Sequence, residues 1–316
     1  RYAEADSVLR VATEMFERFA GPDDPGRADH LDARARILTR LGRIPEAVPL
    51  LREALEIQLR SESANDSSVA YSYANLGMVM SELSDHVAAE SLMVAGLSAA
   101  RRAFGEVHPL VASILSPLAS VQAWAGKPAQ ADSTYRATIE MRRQLLGPEH
   151  PDYAWSMFNY ADFLVREGRY AEAVAWARRV LELRGRTLTD DHPAVATAMG
   201  IVGRALGRLD SLDAAERWLR ESWQVRRNTL PPGHFLIASS EGYLGELFTL
   251  AGRHREAEIH LLNSERQLVE ARGERAPIVE DSRKRLVALY EAWNRPDAVA
   301  HWRAKLDAAR SLPNEP

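Results

Sequence analysis

Histidine is the residue type whose placement first suggests chemistry. His108, His150, His192 and His234 follow one another at intervals of 42 residues, and proline succeeds the first three. Imidazole nitrogens bind metals, so the series invites a metal ladder. Ligands of one ion must converge on a point about 2.0–2.1 Å from each nitrogen. Equivalent positions of successive helical units stand about 8–10 Å apart instead, one helix-packing distance. A hydrogen-bonding side chain directly before proline suits the start of a helix. There it accepts a leftover N–H of the first turn, and proline loses nothing by lacking one. We expect a capping or loop-bonding role for these histidines and no metal site.

Gly200, Gly203 and Gly207 cluster in GIVGRALGR. A phosphate cradle needs a strand before such a segment. No strand is expected there, so the glycines read as a close helix–helix contact. The chain has no phosphate-loop GxxxxGK[ST], no HExxH and no GxSxG, the motifs that mark the commonest nucleotide, zinc and serine chemistries. No acid–base pair or nucleophile falls in a recognisable constellation. The expectation is no catalytic residue, no cofactor and no enzyme. Cysteine is absent, which removes disulfides and thiolate metal sites.

Composition narrows the class further. Of 316 residues, 46% are hydrophobic and 27% charged, a balance that folds rather than stays disordered. The net charge of −4 argues against nucleic acid as a partner, which calls for a basic excess. No apolar stretch reaches the roughly 18 uncharged residues that a membrane span requires. No signal peptide leads the chain, and a cytoplasmic location is expected. Three lysines (Lys127, Lys284, Lys305) stand against 37 arginines, a skew common in GC-rich bacterial genomes. The chain opens on Arg1 in the middle of a repeat, which suggests a fragment of a longer protein.

The elements that position all these residues follow from the period. Ala47, Ala89, Ala131, Ala173, Ala215 and Ala257 repeat at 42, from Ala5 to Val299. Ala28, Ala70, Ala112, Ala154, Ala196 and Ala238 form a second column. Ala35, Gly77, Ala119, Ala161, Gly203 and Gly245 form a third. Each unit reads as two helices of about 16 residues, about 24 Å long at 1.5 Å per residue. In the unit from His150, Ala154, Met157, Phe158, Ala161, Leu164 and Val165 recur at helical spacing. Gly168-Arg169 ends that helix, and a second is expected over 170–183. Small residues at fixed positions allow close helix packing. No period-2 alternation is sustained anywhere, so essentially no strand is expected.

The segments FGEVHPLVASILSPLASVQAWAGKPAQADSTYRATIEMRR and LGPEHPDYAWSMFNYADFLVREGRYAEAVAWARRVLELR resemble the 42-residue tetratricopeptide repeat of kinesin light chains, which also occurs in bacterial signalling proteins. The resemblance implies an all-α solenoid of antiparallel helix pairs, a right-handed superhelix. It predicts a half repeat over 1–23 and repeats starting near 24, 66, 108, 150, 192 and 234, which complete an array over 1–275. A capping repeat follows over 276–310, where Arg283, Lys284 and Arg285 suggest a solvated face, and then a frayed tail over 311–316. Two departures stand out. The family's asparagines survive only as Asn75 and Asn159, and Pro117 falls inside a first helix, where a kink is expected.

The resemblance also implies that first helices line a concave groove for protein or peptide ligands. Counted from the His-Pro position, groove residues include Tyr71, Asn75, Met78, Glu82, Trp124, Trp155, Asn159, Asp162, Arg166, Arg204, Arg208, Tyr243, Glu246 and Leu250. Arg166, Arg204 and Arg208 form a candidate basic strip, with Trp124, Trp155 and Tyr243 as aromatic anchors. Arginine and aromatics dominate binding hot spots. Such a strip would take an acidic partner or a free C-terminal carboxylate. The competing reading is a solvated face with local pairs such as Asp162–Arg166. Two functions stay open: a non-catalytic scaffold for a protein or peptide partner, or a self-assembly or regulatory module that docks another copy (a homo-oligomer) or an attached effector domain.

Overall fold

The computed structural model describes residues 24–61, 65–189 and 191–311, with a few isolated positions among the first 23. The half repeat expected over 1–23 and the tail over 311–316 lie almost wholly outside the described residues. Among the described residues every element is a helix and none is a strand. The first helices of successive pairs are α1 (Pro25–Arg40), α3 (Asp66–Glu82), α5 (Pro109–Trp124), α7 (Pro151–Arg166), α9 (Pro193–Arg208), α11 (Phe235–Leu250) and α13 (Pro277–Ala292). The second helices are α2 (Ile44–Arg60), α4 (His86–Phe104), α6 (Pro128–Leu146), α8 (Tyr170–Thr187), α10 (Leu212–Thr229), α12 (His254–Arg272) and α14 (Pro296–Ser311). The chain divides into two compact units, Arg1–Ser156 and Met157–Pro316, with the boundary inside α7. Within each unit a second helix packs on its own first helix and on the next one, and first helices touch their successors. That is the all-α solenoid the period predicts.

The histidine column starts the helices. Nδ1 of His108, His150, His192 and His234 accepts the backbone N–H two residues on, at 3.1–3.2 Å. A nitrogen that accepts carries no proton, so each neutral ring holds its proton on Nε2. Asp24 does the same at α1, 2.7 Å from the Gly26 N–H. In the next repeat the register slips by one residue. Asn65, not Asp66, is the N-cap and accepts the Ser68 N–H at 3.0 Å. Asp66 enters the helix and pairs with Arg102 at 2.7 Å.

The small-residue columns mark the closest contacts. Ala47, Ala89, Ala131, Ala173, Ala215 and Ala257 are fully buried. A Cβ on Gly203 would sit 2.6 Å from Leu219 Cγ, and one on Gly245 2.6 Å from Leu261 Cγ. A Cβ on Gly207 would meet Leu247 Cδ1 at 2.9 Å. The GIVGRALGR glycines therefore serve helix approach, as expected. Helix α5 runs through Pro117 without interruption, and α2 likewise through Pro49.

A further column was not apparent from the sequence. Arg142, Arg184 and Arg226, 42 residues apart, are each directed from the end of a second helix into the first turn of the next first helix. Arg142 Nη1 donates to Asp152 O and Ser156 Oγ, both at 3.0 Å. Arg184 donates to Ala194 O. Arg226 donates to Leu236 O at 3.1 Å, Ser240 Oγ at 2.7 Å and Thr197 Oγ1 at 3.1 Å. All these acceptors are neutral. Burial pushes all three guanidiniums down, Arg184 to about 10.

The terminal pair departs from expectation. Arg283 is not solvated: it is 2% exposed and pairs with Glu265 at 2.9 Å and with Glu274. Position 283 is the inward-facing counterpart of buried Glu241, so its charge requires these partners. Arg285 is also largely covered, and Lys284 alone of the three is exposed.

Candidate functional site

In the second unit four first helices in succession place charged and aromatic side chains on one face. Helix α7 contributes Asp162 and Arg166, one turn apart. Helix α9 contributes Arg204 and Arg208 at the same offsets. Tyr243 and Glu246 come from α11, and Arg285 from α13. The 42-residue period brings like positions side by side, so substitutions between repeats decide what meets what.

Asp162 takes two cations. Its Oδ1 accepts from Arg204 Nη1 at 2.9 Å and its Oδ2 from Arg166 Nη2 at 2.6 Å. Glu246 likewise takes two: Arg208 Nη2 at 2.5 Å and Arg285 Nε at 3.1 Å. Tyr243 joins the halves. The Arg204 and Arg285 guanidiniums lie 4.6 and 4.8 Å from its ring centroid, within cation–π range. Burial alone would push Asp162 up, but Arg204 and Arg166 outweigh it and hold its carboxyl below the usual carboxylate range. Glu246 behaves alike: burial raises it, and Arg285, Arg204 and Arg208 bring it lower. Burial works against Arg204 too, but Tyr243, Asp162 and Glu246 hold its guanidinium above the ordinary arginine value.

The basic strip is thus a network of four guanidiniums on two carboxylates, with an excess of positive charge. Arg166 and Arg208 are its outer members, with side chains 51% and 42% exposed; Arg204 is an inner one at 18%. The hollow between Arg204, Tyr243, Gly207 and Leu250 holds only about 10 Å³. It has no chamber for a small molecule, and a ligand of this face must lie across it. Asn159 is half-buried on the same helix as Asp162. Arg285 was missed as a site residue. It stands at the Tyr243 position of the last pair, and the surrounding ArgLysArg run obscured that offset.

The first unit presents a different chemistry on its first helices. Tyr71, Met78, Trp124 and Trp155 are each about half exposed. The Trp124 ring lies 5.3 Å from the ring of His86, the first residue of α4. Asn75 is half-buried and bonds to the Asp32 carboxyl, which also accepts from Ser72 Oγ at 2.9 Å. Burial pushes Asp32 up. Trp124 lies in the first compact unit, and Trp155 is on α7, the helix that also carries Asp162 and Arg166.

Among the described residues no group of three or more His, Asp or Glu is arranged to hold a metal, and no helix is long and apolar enough to cross a membrane.

Helix pairs stacked at a 42-residue period with small residues at the contacts define an α-solenoid. A family model for the tetratricopeptide repeat matches residues 1–60, 110–184 and 158–228, and a second model for the same repeat matches 69–110. These segments cover more than half of the sequence, and the chain belongs to the tetratricopeptide repeat family. No curated protein matches the chain significantly. Among solved structures, a putative kinesin light chain from Podosopora anserina with nearly identical repeats is similar at 19% identity, covering 63% of this chain and 94% of that one, with a TM-score of 0.53. A Rap protein in complex with competence and sporulation factor is similar at 13% identity over 98% of this chain and 93% of that chain, with a TM-score of 0.65. A signal transduction ATPase with a tetratricopeptide repeat sensor, from Pyrococcus horikoshii, is similar at 12% identity, covering 90% of this chain and 42% of that one, with a TM-score of 0.61. At these identities the likeness establishes the fold.

Proposed function

We propose that this chain is a non-catalytic scaffold that binds a protein or peptide partner on its first-helix faces, as the sensor or interaction region of a larger bacterial protein. The observation that carries this reading is the Asp162–Arg204–Tyr243–Arg285–Glu246 network. It fixes guanidiniums in place before any ligand arrives, which lowers the entropy cost of binding. Its positive excess suits acidic side chains or a terminal carboxylate. The half-exposed Tyr71, Trp124 and Trp155 of the first unit offer apolar anchors. The Rap protein, solved with competence and sporulation factor, and the repeat sensor of the ATPase support a role of this kind. In the same reading residues 276–310 cap the array.

The test is binding of fluorescent acidic peptides, followed by anisotropy, to the chain and to an Arg166→Ala/Arg208→Ala variant. These two arginines are the outer, half-exposed members of the network, so their loss should leave the fold intact. We expect binding that weakens with salt and is lost in the double variant at unchanged helicity. Equal binding by both proteins would refute the arginine face as the ligand site.

A further inference from the structure

At two places a cation at the start of one second helix reaches a glutamate on the preceding second helix. Lys127 Nζ lies 2.7 Å from Glu90, and Arg253 Nη1 lies 2.6 Å from Glu216. The two pairs occupy the same repeat positions, three periods apart. At the second place the slot is complete: the Arg253 guanidinium also lies 4.1 Å from the Phe248 ring centroid. A carboxylate floor, an aromatic wall and a guanidinium fill one another's needs.

One repeat further on, the same positions are Glu258, Tyr290 and Arg295. Floor and wall are present, but the cation has left. Arg295 lies 5.0 Å over the Trp293 ring, and no ion pair joins it to Glu258. The cause is local. Trp293 stands where the preceding repeat has Ala251, and its indole offers the guanidinium a face inside the turn. Glu258 Oε1 instead accepts from Tyr290 Oη at 2.7 Å. A cavity of about 580 Å³ opens between these groups, lined by Glu258, Tyr290, Trp293, Arg295 and Asp297 among others. That volume lies in the range of small-ligand and side-chain pockets, about 300–1,000 Å³.

We propose that this cavity receives an arginine side chain of a partner polypeptide, which takes the place that Arg253 fills one repeat earlier. The two carboxylates, Glu258 and Asp297, outnumber Arg295. Tyr290 and Trp293 supply aromatic surface for the aliphatic stem and the guanidinium plane. The site lies at the turn between α13 and α14, with charge opposite to that of the arginine network, so it goes beyond the function proposed above and does not depend on it.

The experiment uses the full chain labelled with ¹⁵N and Nα-acetyl-argininamide as the probe. The readout is the Trp293 indole N–H resonance, assigned through Trp293→Phe. We expect a saturable shift with this probe and none with Nα-acetyl-norleucinamide, which has an uncharged stem. Glu258→Gln keeps an acceptor for Tyr290 but removes the charge, and should weaken the probe by at least about tenfold, the loss of one charge-assisted bond. Asp297→Asn provides an independent, smaller loss in the same direction. Arg295→Ala removes the competing charge and should tighten binding. An unsaturable or absent shift in the unmodified chain overturns the proposal, as does equal affinity in Glu258→Gln. Binding that appears only in Arg295→Ala also overturns it, because Arg295 would then be the native occupant.

Discussion

Asp162 and Arg204 occupy the same position in successive repeats, 42 residues apart, and meet at 2.9 Å. In a perfectly repeating array this position would hold identical residues, and like charges would face one another. The substitution of acid by base from one repeat to the next converts repulsion into a bond. The pair is mostly covered, so its loss should register in stability. Asp162→Asn should cost about 1.5–3 kcal/mol, the range for a hydrogen bond to a charged group. A double-mutant cycle with Arg204→Gln should return a coupling of about 0.5–3 kcal/mol. Zero coupling in urea unfolding would show that the two residues act separately.

Acid should loosen the same face. The folded-state values of Asp162 and Glu246 lie below those of ordinary carboxylates. Groups so depressed contribute stability that is fully present above the unfolded values of about 3.9–4.3 and is lost as pH falls through the folded values. The melting temperature should therefore fall on acidification. An Asp162→Asn/Glu246→Gln variant should show a flatter profile. Parallel profiles for the two proteins would exclude these carboxylates as the source.

The histidine caps can be graded by substitution. His192→Ala removes the acceptor for the Ala194 N–H and should destabilise by about 0.5–2 kcal/mol. His192→Asp restores an acceptor, as Asp24 shows at α1, and should recover most of the loss. If Ala and Asp behave alike in chemical denaturation, the histidine serves another purpose.

Close packing sets a sharper limit. Leu219 Cγ would lie 2.6 Å from a Cβ on Gly203, so Gly203→Ala forces α9 and α10 apart. Ala173→Leu overpacks a fully buried alanine on α8. Each should cost about 1–3 kcal/mol. An unchanged melting curve would contradict the packing assigned to these columns.

Much of the architecture was legible because it rests on periodicity. One count of 42 placed most of the caps, the small-residue contacts and the first turns of the helices, and missed the one-residue slip to Asn65. Second helices proved longer than the sequence indicated, since α8 continues to Thr187 beyond the expected 183. Its last turn is polar, and Arg184 within it is held by the next repeat rather than by local propensity. The candidate face was legible only in part. Arg166, Arg204 and Arg208 were found by offset, but their pairing with Asp162 and Glu246 depends on side-chain reach. Arg283 read as solvated because the sequence does not show that Glu265 and Glu274 meet it.

The arginines at the ends of second helices give the array a direction. Arg142, Arg184 and Arg226 each donate forward, from one repeat to neutral acceptors on its successor, and Arg226 also reaches back to Thr197 of its own repeat. Repeats joined this way behave less like stacked coins than like hooks and eyes. A repeat excised from the middle takes its hook along and leaves its own eye exposed on the far side. Any shuffled or lengthened version of this chain must keep each hook facing an oxygen two residues into the next helix. The series is interrupted at Leu268, so α12 offers no such hook to α13.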